Sequence, residues 1–162
     1  DLRVNRVFGR AEIALAATSV KIVSVVNDPE TIEIFPYEKK EIKRFAFVDT
    51  GEIDYGLKWA ERGFFQTFLA SHPEADEVIF VKDGKVQDCT VANLAFLKEG
   101  IWYTPEDPLH WGTTRARLII EEEVEETDIL VEELATYERV CLINVFRTLS
   151  LENSLSVAES IL

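Results

Sequence analysis

Three polar features of this 162-residue chain have the right residue types for chemistry: a lysine, an aspartate and a glycine–threonine turn, in that order. Lys58 precedes a run of apolar residues at helical spacing and is flanked by Leu57 and Trp59, with Tyr55 nearby. A lysine in such a place is ordinarily solvated. Partial desolvation by these neighbours would lower its pKa and supply the neutral amine that adds to a carbonyl carbon to form a Schiff base. Asp88 ends an extended stretch in Gln87-Asp88-Cys89-Thr90, where a carboxylate commonly bonds the neighbouring backbone. Its functional reading is an anion set against a bound cation, such as a protonated ring nitrogen. Gly112-Thr113-Thr114 would start a helix in any protein, but the N–H groups at a helix start, with two hydroxyls, also form a seat for a phosphate. Taken singly, each feature remains open to its structural reading.

The other reactive side chains point away from chemistry. Cys89 and Cys141 each sit inside an apolar stretch, which predicts buried, reduced thiols. His72 precedes Pro73 and His110 precedes Trp111, and neither has a second ligand at metal spacing, so no zinc site is expected. A formal charge of -13 opposes the phosphate-neutralising surface on which nucleic-acid binding depends. No stretch approaches the roughly 18 uninterrupted apolar residues of a membrane helix. Asp1-Leu2-Arg3-Val4-Asn5-Arg6 lacks the build of a secretory signal, and the expected location is the cytoplasm.

The elements that must position the three features follow from periodicity. Val20 to Val26 and Thr31 to Phe35 read as a hairpin about the turn Asn27-Asp28-Pro29-Glu30, and Glu41 to Val48 as a further strand before Asp49-Thr50-Gly51. These form a first lobe of antiparallel strands ending near residue 50. Phe64, Phe65, Phe68 and Leu69 recur at helical spacing between Trp59 and Ala70. Next, Glu77–Val81 and Lys85–Gln87 flank Asp83-Gly84, a pair suited to a tight hairpin turn. Asn93–Leu97 and Ile101–Tyr103 continue the meander, Arg115 to Glu126 reads as an acidic helix with Thr113 or Thr114 as N-cap, and Val140–Val145 as a last strand.

Together, the stretch from Tyr55 to Leu118 resembles the class IV aminotransferase family of fold-type IV pyridoxal-phosphate enzymes, which includes aminodeoxychorismate lyases. The family's K-x-x-N-R motif is matched by Lys58-Trp59-Ala60-Glu61-Arg62, with Glu61 for Asn. Its T-E-x-x-x-x-N motif is matched by Gln87-Asp88-Cys89-Thr90-Val91-Ala92-Asn93, with Asp88 for Glu, one methylene shorter. A T-P pair follows at Thr104-Pro105 and a G-[IT]-[TM]-R turn at Gly112-Thr113-Thr114-Arg115. Cys141 to Val145 is similar to the family's late strand, and Arg3-Val4-Asn5-Arg6 to the tail of its H-x-x-R-L motif.

The resemblance implies an α+β protein of two small α/β lobes with pyridoxal 5'-phosphate between them. The lobes would be a shortened N-terminal one over residues 1–50 and a cofactor-binding one over 51–162. It makes Lys58 the catalytic lysine that holds the cofactor and Asp88 the partner of its pyridine nitrogen. The phosphate falls to Gly112, Thr113, Thr114, Asn144, Val145 and Arg3, the last because a guanidinium donates two parallel hydrogen bonds. It further implies a small-molecule amino substrate and a homodimer. The K-x-x-[NE]-R form after the lysine and the small size resemble the lyase branch more, which releases pyruvate from aminodeoxychorismate to give 4-aminobenzoate for folate synthesis. The alternatives are an amino acid aminotransferase of branched-chain or D-amino acid type, and a non-catalytic member acting as a binding or structural dimer.

Overall fold

In the computed structural model, residues 20–25, 28–36, 39–51 and 63–162 are described. β1 (Val20–Val25) and β2 (Asp28–Pro36) form a separate antiparallel hairpin. The Asp28-Pro29-Glu30 segment expected in its turn already belongs to the second strand. β3 (Phe45–Asp49), β4 (Glu77–Lys82) and β5 (Lys85–Cys89) form a three-stranded sheet, and α1 (Gly63–Ala70) precedes β4. A five-stranded sheet follows the order β10-β9-β6-β7-β8, from β6 (Asn93–Lys98), β7 (Ile101–Pro105), β8 (Glu125–Thr127), β9 (Arg139–Ile143) and β10 (Ser154–Ser156). α2 (Thr113–Ile120) lies between β7 and β8, and the short α3 (Val157–Ser160) follows β10.

Alternation along the strands explains the packing. Val78 and Phe80 of β4 join Val48, Phe65 and Leu109 in one cluster, with Phe68 and Leu69 of α1 against it, whereas Ile79 joins the main core. In β6, Leu94 and Phe96 enter the main core and Ala95 the cluster beneath Leu118 of α2; in β9, Val140 and Leu142 divide from Cys141 and Ile143 in the same way. The central strands are therefore apolar on both faces, which is why they read as continuous rather than alternating hydrophobic runs. The main core unites residues of both sheets, with one helix serving the outer cluster of each.

The tight connections are set by backbone chemistry. Asp83 and Gly84 take φ of 51° and 76°, and Glu99 and Gly100 take 52° and 83°, so both two-residue hairpin loops have the paired positive φ that matches strand twist. The second of these puts a glutamate in the left-handed region, where only the following glycine is at ease.

Three expectations change. The strand assigned to Glu41–Val48 begins at Phe45 and pairs with β4 in a parallel ladder, Phe45 opposite Glu77 through Asp49 opposite Val81. It does not extend an antiparallel first lobe, because its apolar residues divide between the same two clusters as those of β4. The acidic helix expected over Arg115–Glu126 starts at Thr113 and stops at Ile120. Glu122, at φ 57°, reverses the chain, with its N–H bonded to Ile119 O and that of Glu123 to Leu118 O, the paired bonds of a Schellman ending. The reversal buries Val124 beneath α2 and lets β8 pair with β7. The tail supplies β10 and α3, and Leu162 N–H bonds Phe45 O at 3.0 Å. Among the described residues, no helix is long and apolar enough to cross a membrane.

Phe96 is fully buried and meets the Tyr137 ring edge-on at 5.7 Å. Phe96→Ala is expected to lower unfolding free energy by about 3–5 kcal/mol. The check is urea unfolding, and an unchanged midpoint would show that this core does not carry the fold.

Candidate active site

Asp88 is placed by a break in strand pairing. The β4–β5 register pairs Ile79 with Cys89 and then Val81 with Val86, so one residue of β4, Phe80, stands against two of β5, Gln87 and Asp88. The extra residue makes a β-bulge, which turns consecutive side chains out of strict alternation. Gln87 and Asp88 are accordingly both buried. Gln87 accepts from Thr50 Oγ1 at 3.2 Å and donates to Asp107 O at 3.3 Å. Asp88, 3% exposed, accepts from Asn93 Nδ2 at Oδ1 and from His110 N–H at Oδ2, both at 2.7 Å.

Asn93 opens β6, and its amide does double duty by also donating to His110 O at 2.7 Å. It passes so close to the next segment that a Cβ on Gly112 would fall 2.0 Å from Asn93 Oδ1. Glycine is required at position 112 by this approach and not by backbone angle, since its φ is an ordinary -73°. Gly112 is itself the N-cap of α2, with no side-chain capping bond. Neither threonine caps the helix as expected: Thr113 and Thr114 occupy its first turn, where backbone N–H groups have no acceptor within a helix.

Arg115, the next residue, is buried and donates through Nη2 to Pro105 O at 2.7 Å and to Glu126 Oε1 at 2.6 Å. The preceding Thr104 is buried too, its hydroxyl donating to Leu94 O at 2.8 Å. The Thr-Pro pair thus ties β7 to β6 and gives α2 its anchor. The Arg115 guanidinium also lies 5.2 Å from the ring of the exposed Trp111. Asn144 follows β9; its Nδ2 donates to Val91 O at 3.0 Å and its Oδ1 accepts from Phe146 N–H at 2.8 Å. Its side chain is therefore spent on holding the loop, while Val145 is exposed.

The structure brings together Asp88, the Gly112–Thr114 turn and the Asn144–Val145 loop, through Asn93 and Val91. Lys58 and Arg3 lie outside the described residues. Asn93 and Arg115 carry more of the arrangement than expected. Asn93 stands five residues after Asp88, and that spacing, joined to an amide's two donors, is the signal for its role. Both cysteines are buried and free, and burial raises the pKa of each thiol.

Burial pushes Asp88 from 3.8 up to about 7, against the opposing pull of the Asn93 amide, the His110 N–H and the Arg115 charge. The carboxylate keeps lone pairs to spare beyond these bonds, so a cationic N–H set against it would restore the anion. An acceptor of that kind, joined through one asparagine to a helix start that favours phosphate, fits a cofactor with a basic ring nitrogen and a phosphate arm.

Comparison with known proteins gives the family. Residues 63–150 match the amino-transferase class IV family. The chain is 35% identical over 118 residues to an uncharacterised protein of Haemophilus influenzae, covering 73% of this chain and 63% of that one. It is similar to the crystal structure of a Haemophilus somnus protein provisionally assigned as a 4-amino-4-deoxychorismate lyase, with TM-score 0.68, 37% identity and coverage of 74% and 61%. A Legionella pneumophila protein with the same provisional assignment gives TM-score 0.60, 25% identity and coverage of 80% and 52%. The chain spans less than two thirds of the length of each of these relatives.

Two outcomes check the site. Because the folded protein holds the Asp88 proton more tightly than the unfolded chain, it gains stability from that proton below about pH 4 and loses it as pH rises towards about 7. Thermal unfolding of the cofactor-free protein should show that decline, and Asp88→Asn should flatten it; an identical slope in the variant would contradict a buried, ionising Asp88. Gly112→Ala should cost about 1–3 kcal/mol by driving Asn93 off its bonds, measured by urea unfolding, and a variant as stable as the parent would disprove the close approach.

Proposed function

The chain belongs to the class IV aminotransferase family, and from that premise we propose that it is a pyridoxal-phosphate-dependent 4-amino-4-deoxychorismate lyase, releasing pyruvate and forming 4-aminobenzoate. The observation that carries the reading is the buried Asp88 carboxylate tied through Asn93 to the start of α2. Class IV aminotransferases depend on pyridoxal phosphate, and the donor set on this chain fits that group. The lyase branch is favoured by the 37% identity to the Haemophilus somnus protein.

When bound, the cofactor's pyridinium ring draws electrons away from the substrate carbon that bears the amine. The Asp88 carboxylate would hold the proton at the ring nitrogen, itself kept in place by Asn93 Nδ2 and the His110 N–H. Their rigidity matters because pre-set electrostatics need no rearrangement during reaction. The N–H groups of Thr113 and Thr114, with Gly112, would bind the phosphate, and Arg3 would add its guanidinium. The Asn144 side chain holds its loop, from which Val145 would meet the same group. Lys58 would hold the cofactor through Nζ until the substrate amine takes its place, and the freed amine would then move the proton at the reacting carbon. The reading also keeps a shortened N-terminal lobe and a cofactor-binding lobe with the site between them, β3 going with the second through its ladder with β4, in a cytoplasmic homodimer serving folate synthesis.

The test is to load the purified protein with pyridoxal phosphate, supply aminodeoxychorismate and assay 4-aminobenzoate. Product is expected, with loss of at least about a hundredfold in Lys58→Ala. Keto acid from an amino acid donor without 4-aminobenzoate would assign a transaminase instead. Failure of borohydride to fix cofactor to the parent chain, with no activity of either kind, would assign a non-catalytic member.

A further inference from the structure

Glu77 is fully buried and has no place in the scheme above. It is the first residue of β4, opposite Phe45 of β3. Its Oε1 accepts from Val78 N–H at 3.0 Å and from Thr90 N–H at 3.3 Å. Oε2 is buried as well and has no hydrogen-bond partner among the described residues. A carboxylate wholly removed from water and only half satisfied weakens a fold relative to an apolar side chain of similar size. Local rules broken in this way point to service elsewhere.

The bond to Thr90 shows where. Cys89 is the last residue of β5, and residues 90–92 turn the chain into Asn93 of β6. Each part of that turn is tied down separately. Cys89 N–H donates to Ala92 O at 3.1 Å, Asn144 Nδ2 to Val91 O at 3.0 Å, and Thr90 N–H to Glu77. Asp88 and Asn93 stand at its two ends, and their 2.7 Å bond depends on the turn keeping its shape. The bulge removes ordinary ladder bonding just before it, so side-chain acceptors must do what the ladder does elsewhere.

We propose that Glu77 is a positioning residue for Asp88, its buried carboxylate fixing the 90–92 turn through the Thr90 N–H so that Asp88 and Asn93 stay aligned on the cofactor's ring nitrogen. This rests on the reading of Asp88 given above.

The experiment combines Glu77→Ala and Glu77→Gln with Asp88→Asn in the full chain. The first readout is hydrogen exchange of the Thr90 amide in the cofactor-free protein, and the second is pyridoxal phosphate affinity by absorbance titration. Glu77→Ala should speed Thr90 exchange and weaken cofactor binding, each about tenfold. Glu77→Gln, whose carbonyl oxygen still accepts from the Thr90 N–H, should stay within about twofold on both. In the Asp88→Asn background, Glu77→Ala should still speed exchange yet leave affinity within about twofold, as coupled residues do. Unchanged Thr90 exchange in Glu77→Ala, equal losses for Gln and Ala, or an equal affinity loss in both backgrounds would overturn the proposal. Should Glu77→Ala fail to fold, Glu77→Asp, which withdraws the carboxylate by one methylene, replaces it with the same expectations. If Asp88→Asn alone leaves cofactor affinity and spectrum unaltered, the reading of Asp88 falls and this role with it, while faster Thr90 exchange would still establish the Glu77 bond itself.

Discussion

A carboxylate sealed from water must be surrounded by donors or give up its charge, and Asp88 imposes that demand where the two sheets meet. Its donors come from different parts of the chain. Asn93 belongs to the first strand of the second sheet, the His110 N–H to the segment ahead of α2, and the Arg115 charge to the helix itself. Satisfying one side chain thereby fixes how β5 hands over to β6 and the place where α2 begins. The close approach of Gly112 to Asn93 is the steric counterpart of the same requirement.

The sheets make such a demand tolerable. Their central strands bury both faces, so Asp88 and Asn93 at the seam are buried too, and a dipole or charge there acts with little screening. The chain crosses from one sheet to the other between Cys89 and Asn93, where regular backbone pairing ends and side chains must supply the bonds. Asp88, Asn93 and the start of α2 collect there, because that is where the fold leaves polar groups without a ladder partner.

Much of this was legible in advance. The hairpin turns at Asp83-Gly84 and Glu99-Gly100 announce themselves by residue type, and the strands that follow are β-branched and aromatic in short apolar runs. Arg115 to Glu126 misled because helix propensity and a stripe of glutamates look alike along the chain. What stops α2 is the burial of Val124 and the pairing of Glu126 with Arg115, neither of which is local. Phe45–Asp49 misled for a similar reason: nothing within five residues says whether the partner strand runs parallel or antiparallel.

The order of Asp88, Asn93, Thr104-Pro105 and Gly112 to Arg115 along the chain is a property of the sequence alone, and with it the family and the chemical types of the anchors. The bulge that turns Asp88 inward, the donors that hold it, and the buried Glu77 behind the turn exist only in the folded chain. Each depends on groups brought together across strands: Glu77 lies thirteen residues from Thr90 and Asp88 twenty-two from His110. Residue type and local periodicity record what a side chain can do, whereas burial decides which of those capacities it must use, and burial is a property of the whole packed chain.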